Sequence, residues 1–530
     1  MSILVSAWVI GIKIILPMAG SDEAFLREGM KIKPLVEIDG KPMIEHICNM
    51  FPKGSEFIFL CRKEVLEKTN LAETLNNIST KTRIIPVEKP TRGPVETVLL
   101  ADGLVGEDEE IIIHHADSLA DWNFDDFLSI ARKSGGCLSV FAGFNPAAFA
   151  HSLYGLIKTE HGKLKEVIEK QPFALDTKNG YTSAGSYYFS SWKIFKKYAR
   201  QIIEKNMSIN GIFFDSLVYN EMIKDGLDVS YYIAKNFISW GEPPNTKEYM
   251  FWSGYFEWLS GYKDTRPVYD MTDLIPAAGK GKRFSDTGYK DPKPLINVLG
   301  KPMIVKSAEA LPRAMRYIFV ILKEQSDSYQ LDKVLKDGIE NCKVIAIDKI
   351  TDGMARTCLM AEHLLEKDKP LIISSCDYSF VYNEKKFQKL IEEEDPDAMI
   401  FTFREYPDAR LAPNAYAYVV LEGGKIKKVS EKVPISSQPH KDHIVQGTFY
   451  FKNAGLFLWC AKEMIRKGIS VNGEYYVATA INELIESGKK VMPFELDKYI
   501  CWGTPQDLQT FEFWQDYFSC LPYHPYEKQS

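Results

Sequence analysis

The loop from Pro276 to Leu295 reads PAAGKGKRFSDTGYKDPKPL. Between Lys280 and Lys293 it holds five cations (Lys280, Lys282, Arg283, Lys290, Lys293) against two anions (Asp286, Asp291), in a chain whose formal net charge is −6. Gly279 and Gly281, following Ala278, leave backbone N–H groups uncovered by side chains. A helix starting beyond them would add the positive end of its dipole. Arg283 can grip phosphate oxygens as a fork, whereas Lys293 is a movable point charge. The chemistry such a loop serves is polyphosphate binding. A solvated lysine-rich loop has the same composition, so the loop alone decides nothing.

Other residues could join it. Asp377 follows the apolar run LIISSC and has the hard carboxylate that suits Mg²⁺; a turn or helix cap also uses an aspartate there. Glu431 and Lys432 form an adjacent charged pair, which is more often a solvated surface feature. Gly353 follows Thr351 and precedes Thr357, and a turn explains such a glycine as well as a close approach to a ligand does. His114 and His115 have no partner at metal-ligand spacing and read as structural. The aromatic series Phe511, Trp514 and Phe518, matched by Tyr249, Trp252 and Phe256, reads as core packing.

The elements that must position these groups occur twice. PMAGSDEAFLREGMKIKPLVEIDGKPMI from Pro17 repeats as PAAGKGKRFSDTGYKDPKPLINVLGKPMI from Pro276. Lys33 aligns with Lys293, Asp117 with Asp377, Glu169 with Glu431, Lys170 with Lys432 and Gly185 with Gly447. The repeat implies two tandem domains, 1–262 and 263–530. Strand-like runs such as EFIFLC, TRIIPV, EIIIHH and CLSVFAG alternate with helix-like stretches. The expected fold class is therefore α/β, each domain having a mostly parallel central sheet flanked by helices. Ligands of such sheets collect at the carboxyl ends of the strands, where both the loop and Asp377 fall.

On these residues the chain resembles the sugar-phosphate nucleotidyltransferase family, the NDP-sugar pyrophosphorylases, over nearly all of both halves. The resemblance implies Rossmann-like domains that join an NTP to a phosphorylated sugar or related small molecule and release pyrophosphate. It implies that Ala278, Gly279, Lys280 and Gly281 hold the nucleotide with Thr351 and Gly353. Arg283, Lys293 and Asp377 would be catalytic, with Asp377 binding Mg²⁺. Glu431, Lys432, Gly447 and Glu474 would meet the acceptor. A cytoplasmic role in surface-polysaccharide precursor synthesis follows from the same likeness. Transfer to a non-sugar phosphate, such as a polyol or choline phosphate, is a rival reading; a binding protein without turnover is another.

Physical chemistry supports the transfer reading independently. A phosphate monoester is largely dianionic at neutral pH, so the attacking group needs no base. The difficulty is bringing two anions together, which alignment and cationic charge solve. Two departures stand out. Ser21, Asp22, Glu23 and Ala24 replace Lys280, Gly281, Lys282 and Arg283 in the first half, leaving Gly20, Lys33, Asp117, Glu169 and Lys170 as an altered first site. Cys501 stands where many family members have a second metal-binding aspartate, with Asp507 nearby.

Composition excludes other classes. An acidic chain with 45% hydrophobic residues is globular and lacks the broad basic surface of a nucleic-acid binder. The nine cysteines form no CxxC pair and read as free thiols in a reducing compartment. The apolar N-terminus lacks the basic start of a signal peptide, and no run is long enough to span a membrane. The oligomeric state is not legible.

Overall fold

The computed structural model describes residues 11–149, 154–171, 180–406, 409 and 412–528. The apolar stretch 1–10 lies outside them. The chain divides into two compact units, Met1–Glu257 and Trp258–Ser530.

The first unit contains β1 (Lys13–Met18), β2 (Glu56–Arg62), β3 (Thr82–Val87), β4 (Ile111–His114), β5 (Gly136–Phe141), β6 (Tyr154–Glu160), β7 (Lys163–Gln171), β8 (Tyr181–Phe189) and β9 (Val229–Ile233). They form one sheet in the order β7-β6-β8-β4-β1-β2-β3, and β5 pairs with both β8 and β9. The second unit contains β10 (Tyr269–Ala277), β11 (Ala314–Leu322), β12 (Cys342–Ile347), β13 (Leu371–Ile373), β14 (Ala398–Phe403), β15 (Ala417–Glu422), β16 (Lys425–Glu431), β17 (Ile444–Phe451) and β18 (Val491–Glu495). Its order is β12-β11-β10-β13-β17-β14-β18, with β15 pairing β16 and β17. In each unit the first four strands are parallel, and an antiparallel strand, β8 or β17, follows beside the fourth.

Side-chain alternation explains why these runs are strands. Along β10, Leu274 packs with Ile318, Val320 and Ile373 on one face of the sheet. Its neighbour Ile275 packs with Phe319, Ile321 and Ile372 on the other, as the period of two demands. Both faces are covered by helices, so the parallel strands read as continuous apolar runs. The chain order reverses between β10 and β13, which makes the crevice beyond their carboxyl ends the place where a ligand fits. The cationic loop leaves β10 into that crevice, and Asp377 follows β13.

A small antiparallel ribbon completes the crevice. Tyr378–Val381 pairs with Lys498–Cys501, Tyr378 opposite Cys501, which brings the Cys501–Gly503 turn back beside Asp377. The first unit repeats the device with Ser118–Asp121 and Asn236–Ser239. The aromatic series is packing: Phe511, Trp514 and Phe518 are buried in helix Pro505–Cys520, and Tyr249, Trp252 and Phe256 in helix Pro243–Gly261. The expected helix beyond the glycine loop is only the single turn Lys282–Asp286. So short an element has little macrodipole, and the loop's charge comes from its side chains. Among the described residues, no helix is long and apolar enough to cross a membrane.

Candidate active site

The second unit brings Lys293 and Asp377 together across 84 residues of sequence. Lys293 opens a short 3-10 turn, Lys293–Leu295, with Pro294 buried behind it. Its Nζ donates to Asp377 Oδ2 at 2.5 Å and to the Gly503 carbonyl at 2.9 Å. An ammonium has three donors, so one N–H remains for a ligand. Ser375 Oγ donates to the other carboxylate oxygen at 2.6 Å. Burial would lower the Lys293 pKa, but the Asp377 carboxylate outweighs it and holds the ammonium above its ordinary range. Burial likewise would raise Asp377, yet Lys293, with Ser375 and Arg283, holds it below the usual carboxylate value. Both groups are therefore charged at neutral pH.

The loop glycines are not equivalent. A Cβ on Gly279 would meet nothing within 4 Å, and the same is true of Gly20 in the first unit. Gly281 has φ +61°, and a Cβ there would lie 2.9 Å from Lys293 Cβ. Of the two, only Gly281 is required by the fold, because it lets the loop close over Lys293. Lys280 and Arg283 are exposed at the mouth, whereas Ala278 is buried.

Gly353 is the tightest approach. It has φ +120°, and a Cβ would lie 2.4 Å from the Tyr475 backbone N and 2.6 Å from its O. Thr351 does something other than present a free hydroxyl: its Oγ1 lies 2.6 Å from Thr357 Oγ1 and 3.1 Å from the Gly353 carbonyl. It holds the turn.

On the acceptor side, burial pushes the Glu431 carboxyl up to about 7, Lys432 offsets part of this, and Glu474 adds to it. Lys432 has φ +58°, its Nζ reaches the Ala415 carbonyl at 3.2 Å and lies 5.5 Å from the Tyr476 ring centroid. Glu474 accepts from the Tyr476 hydroxyl. These three charged groups form one cluster. Gly447 has φ +107°, and a Cβ would lie 3.0 Å from the Tyr378 hydroxyl, so it too is a close-approach position.

The metal question turns on Cys501. Burial, then Asp507 and Asp377, keep its thiol protonated well above the ordinary range, so it offers no hard anionic ligand. Asp507, beside Cys501, is engaged by its own helix. Its Oδ2 accepts from Thr504 N at 2.8 Å and Thr504 Oγ1 at 2.7 Å, closing a capping box on helix Pro505–Cys520. No group of three His, Cys, Asp or Glu residues suited to a metal exists among the described residues. The donor set fits a hard cation held by Asp377 alone, with substrate phosphates and waters completing its shell.

The first unit keeps the frame and changes the charges. Lys33 Nζ donates to Asp117 Oδ2 at 2.7 Å. Gly93 has φ +122° and Lys170 φ +57°, close to their counterparts. Asp22, aligned with Gly281, is buried and fully engaged. It accepts from the Lys33 N–H at 3.0 Å and from Arg62 at 2.5 Å. Arg62 ends β2 where the second unit has Leu322, so an ion pair fills the cradle. Glu23 pairs with Arg27 at 2.7 Å. Glu169 is buried and accepts from Ser216.

The structure separates the two histidines. His114 is structural, fully buried between Ser186 Oγ and the Ser118 carbonyl. His115 has a partner that sequence spacing missed, Asp215, at 3.3 Å.

A profile of the family described as "Nucleotidyl transferase" matches residues 30–240 and 272–517. A UTP–glucose-1-phosphate uridylyltransferase, AglF, of Haloferax volcanii is 24% identical over 249 residues, covering 46% of this chain and 95% of that one. The bifunctional protein GlmU of Methanococcus maripaludis is 24% identical over 245 residues, 45% of this chain and 53% of GlmU. Among solved structures, a nucleoside-diphosphate-sugar pyrophosphorylase from Vibrio cholerae is 20% identical, covers 45% of this chain and 98% of that one, and has a TM-score of 0.38.

Proposed function

The chain belongs to the nucleotidyl transferase family twice over, and from that premise we propose that residues 263–530 are the catalytic domain and residues 1–262 an altered copy. The reaction is transfer of an NMP group from an NTP to a phosphorylated sugar or related small molecule, with release of pyrophosphate. An acceptor phosphate oxygen forms a bond to the α-phosphorus while the bond from that phosphorus to the β-phosphate bridge breaks. The observation that carries this reading is the Lys293–Asp377 pair at the crevice between β10 and β13, beside the cationic Gly281 loop.

Each residue has a task. The Gly281 turn lets backbone N–H groups and the loop cations Lys280 and Arg283 approach the polyphosphate. Lys293 keeps one N–H for the charge that moves onto the leaving phosphate. Asp377 holds Lys293 in place and is the carboxylate that would bind Mg²⁺. Mg²⁺, when bound, would supply neutralisation of the triphosphate oxygens. Gly353 lets the Tyr475 backbone close against the turn, and that turn would lie along the base. Glu431, Lys432 and Glu474 face the acceptor's hydroxyl and phosphate groups across Gly447. We place the reaction in the cytoplasm, with the nucleotide sugar passing to polysaccharide assembly.

The experiment is a matrix of five NTPs against phosphorylated sugars and polyols, scored by pyrophosphate release with Mg²⁺ and with EDTA. The reading expects turnover confined to a nucleotide and sugar phosphate pair and lost in EDTA. A matrix without pyrophosphate release contradicts it.

A further inference from the structure

The crevice of the first unit holds groups that the second lacks. His115 stands in place of Ser375, Asp215 of Val477, Ser216 of Ala478 and Tyr187 of Phe449. These four changes put hydrogen-bonding side chains where the second unit has two apolar residues, an alanine and a serine.

Their geometry is specific. His115 Nε2 lies 3.3 Å from Asp215 Oδ2; the histidine side chain keeps 31% of its exposure and the aspartate side chain none. A buried carboxylate thus fixes the ring from behind, as in sites where a histidine serves a ligand through its other nitrogen. Nδ1 has no hydrogen-bond partner among the described residues. The ring packs against Tyr187 with centroids 5.3 Å apart. Asp215 begins helix Asp215–Lys224, and its Oδ1 is buried without a hydrogen-bond partner. Ser216 spends its hydroxyl on Glu169, and Ser183 Oγ lies 3.0 Å from the Tyr187 hydroxyl.

The charges narrow the ligand class. Asp117, Glu169 and Asp215 all bear on His115, His114 neighbours it, and Lys33 is paired with Asp117. Lys170, with its Nζ 5.3 Å from the Phe214 ring centroid, is the other cation of the altered site, so Lys33 and Lys170 face the three carboxylates Asp117, Glu169 and Asp215. The triphosphate cradle itself is filled by Asp22, bonded to Lys33 N–H and Arg62. What the crevice offers instead is a partly exposed imidazole, fixed from behind by the buried Asp215 and backed by the buried Tyr187, a polar group able to meet a ligand hydroxyl.

We propose that the first unit is a second ligand site, taking a hydroxyl-rich small molecule of the sugar or polyol class without a polyphosphate, with His115, positioned by Asp215, bonding a ligand hydroxyl. The proposal goes beyond the transfer reaction and does not depend on it.

The test uses the full chain without NTP or metal. Free glucose, galactose, N-acetylglucosamine and myo-inositol are titrated by calorimetry beside their phosphate esters and UTP, and imidazole resonances of histidine-labelled protein are followed. The expected result is that a free sugar or cyclitol binds and shifts the His115 resonances. His115→Gln should weaken that binding at least tenfold and Asp377→Asn should leave it unchanged. Asp215→Asn, whose shape is conserved, should move the pH at which the His115 resonances titrate. The proposal is overturned if no free hydroxylated probe moves those resonances, if only phosphate esters or UTP move them, or if His115→Gln and Asp377→Asn have equal effects. The resonance shift is read on the unaltered protein, so a variant that fails to fold does not remove the test.

Discussion

Substituting Gly353 by alanine tests the geometry of the nucleotide turn. The backbone at Gly353 has φ +120° and ψ 167°, a conformation reserved almost entirely for glycine, and forcing a side chain into it costs about 1–3 kcal/mol. The new methyl group would lie 2.4 Å from Tyr475 N and 2.6 Å from Tyr475 O. Both are backbone atoms and cannot rotate aside. They are also held, since Tyr475 N donates to the Asp352 carbonyl and Ala355 N donates to the Tyr475 carbonyl, each at 2.9 Å. Relieving the clash means stretching one or both bonds, at about 0.5–1.5 kcal/mol each. The total is about 1.5–6 kcal/mol, which lowers the melting temperature by several degrees or more in a unit of this size. Gly93→Ala is the matched control. That residue has φ +122°, and a Cβ would lie 2.7 Å from Phe213 O. Calorimetric unfolding should show comparable losses for the two variants. Steady-state kinetics below the transition should show a raised NTP KM for Gly353→Ala only. Unchanged stability in Gly353→Ala would refute the close approach; equal kinetic effects of the two variants would refute the assignment of the turn to the nucleotide.

Other substitutions probe charge. Asp273 is fully buried on β10, with neither carboxylate oxygen hydrogen-bonded, and burial raises its pKa well above the ordinary range. Its stabilising contribution is complete below about pH 3.9, the unfolded value, and is lost as pH rises towards the folded pKa. Asp273→Leu should therefore gain stability over wild type in urea unfolding at pH 8, by more than it does at pH 4.5; an equal difference at both would contradict the shift. Glu431, raised to about 7, adds a decline in stability between about pH 4.3 and pH 7 that Glu431→Gln should flatten. Arg283→Ala should chiefly raise the KM for NTP, because a bidentate phosphate grip exists in the ground state. Lys293→Ala should chiefly lower kcat, and identical changes in the two variants would remove that distinction.

The parts legible in the sequence were those written twice. Alignment of the copies placed Lys293 with Lys33 and Asp377 with Asp117, and apolar runs located β2 to β5 closely, because buried strands of such a sheet are plain apolar runs. Partners supplied by distant elements were not legible. Arg62 reaches Asp22 from 40 residues away and Asp215 reaches His115 from 100; neither separation has any local period. The loop cations were readable, but the helix beyond them was overestimated, since Gly288 and the Pro292–Pro294 pair stop it after one turn. Thr504 and Asp507 have capping-box spacing, a local signal that could have shown Asp507 to be a helix cap. Thr351 and Thr357, six residues apart, meet only because the Gly353 turn folds one onto the other.

The most direct test of the account compares pyrophosphate release by four variants of the full chain, Lys293→Ala, Asp377→Asn, Lys33→Ala and Asp117→Asn, under saturating NTP and acceptor. Removing one preorganised electrostatic group costs roughly two to three orders of magnitude in kcat. The account predicts that loss for Lys293→Ala and Asp377→Asn, with Lys33→Ala and Asp117→Asn within a few-fold of wild type. Abolition of turnover by the first-unit substitutions, with the second-unit substitutions spared, would contradict it.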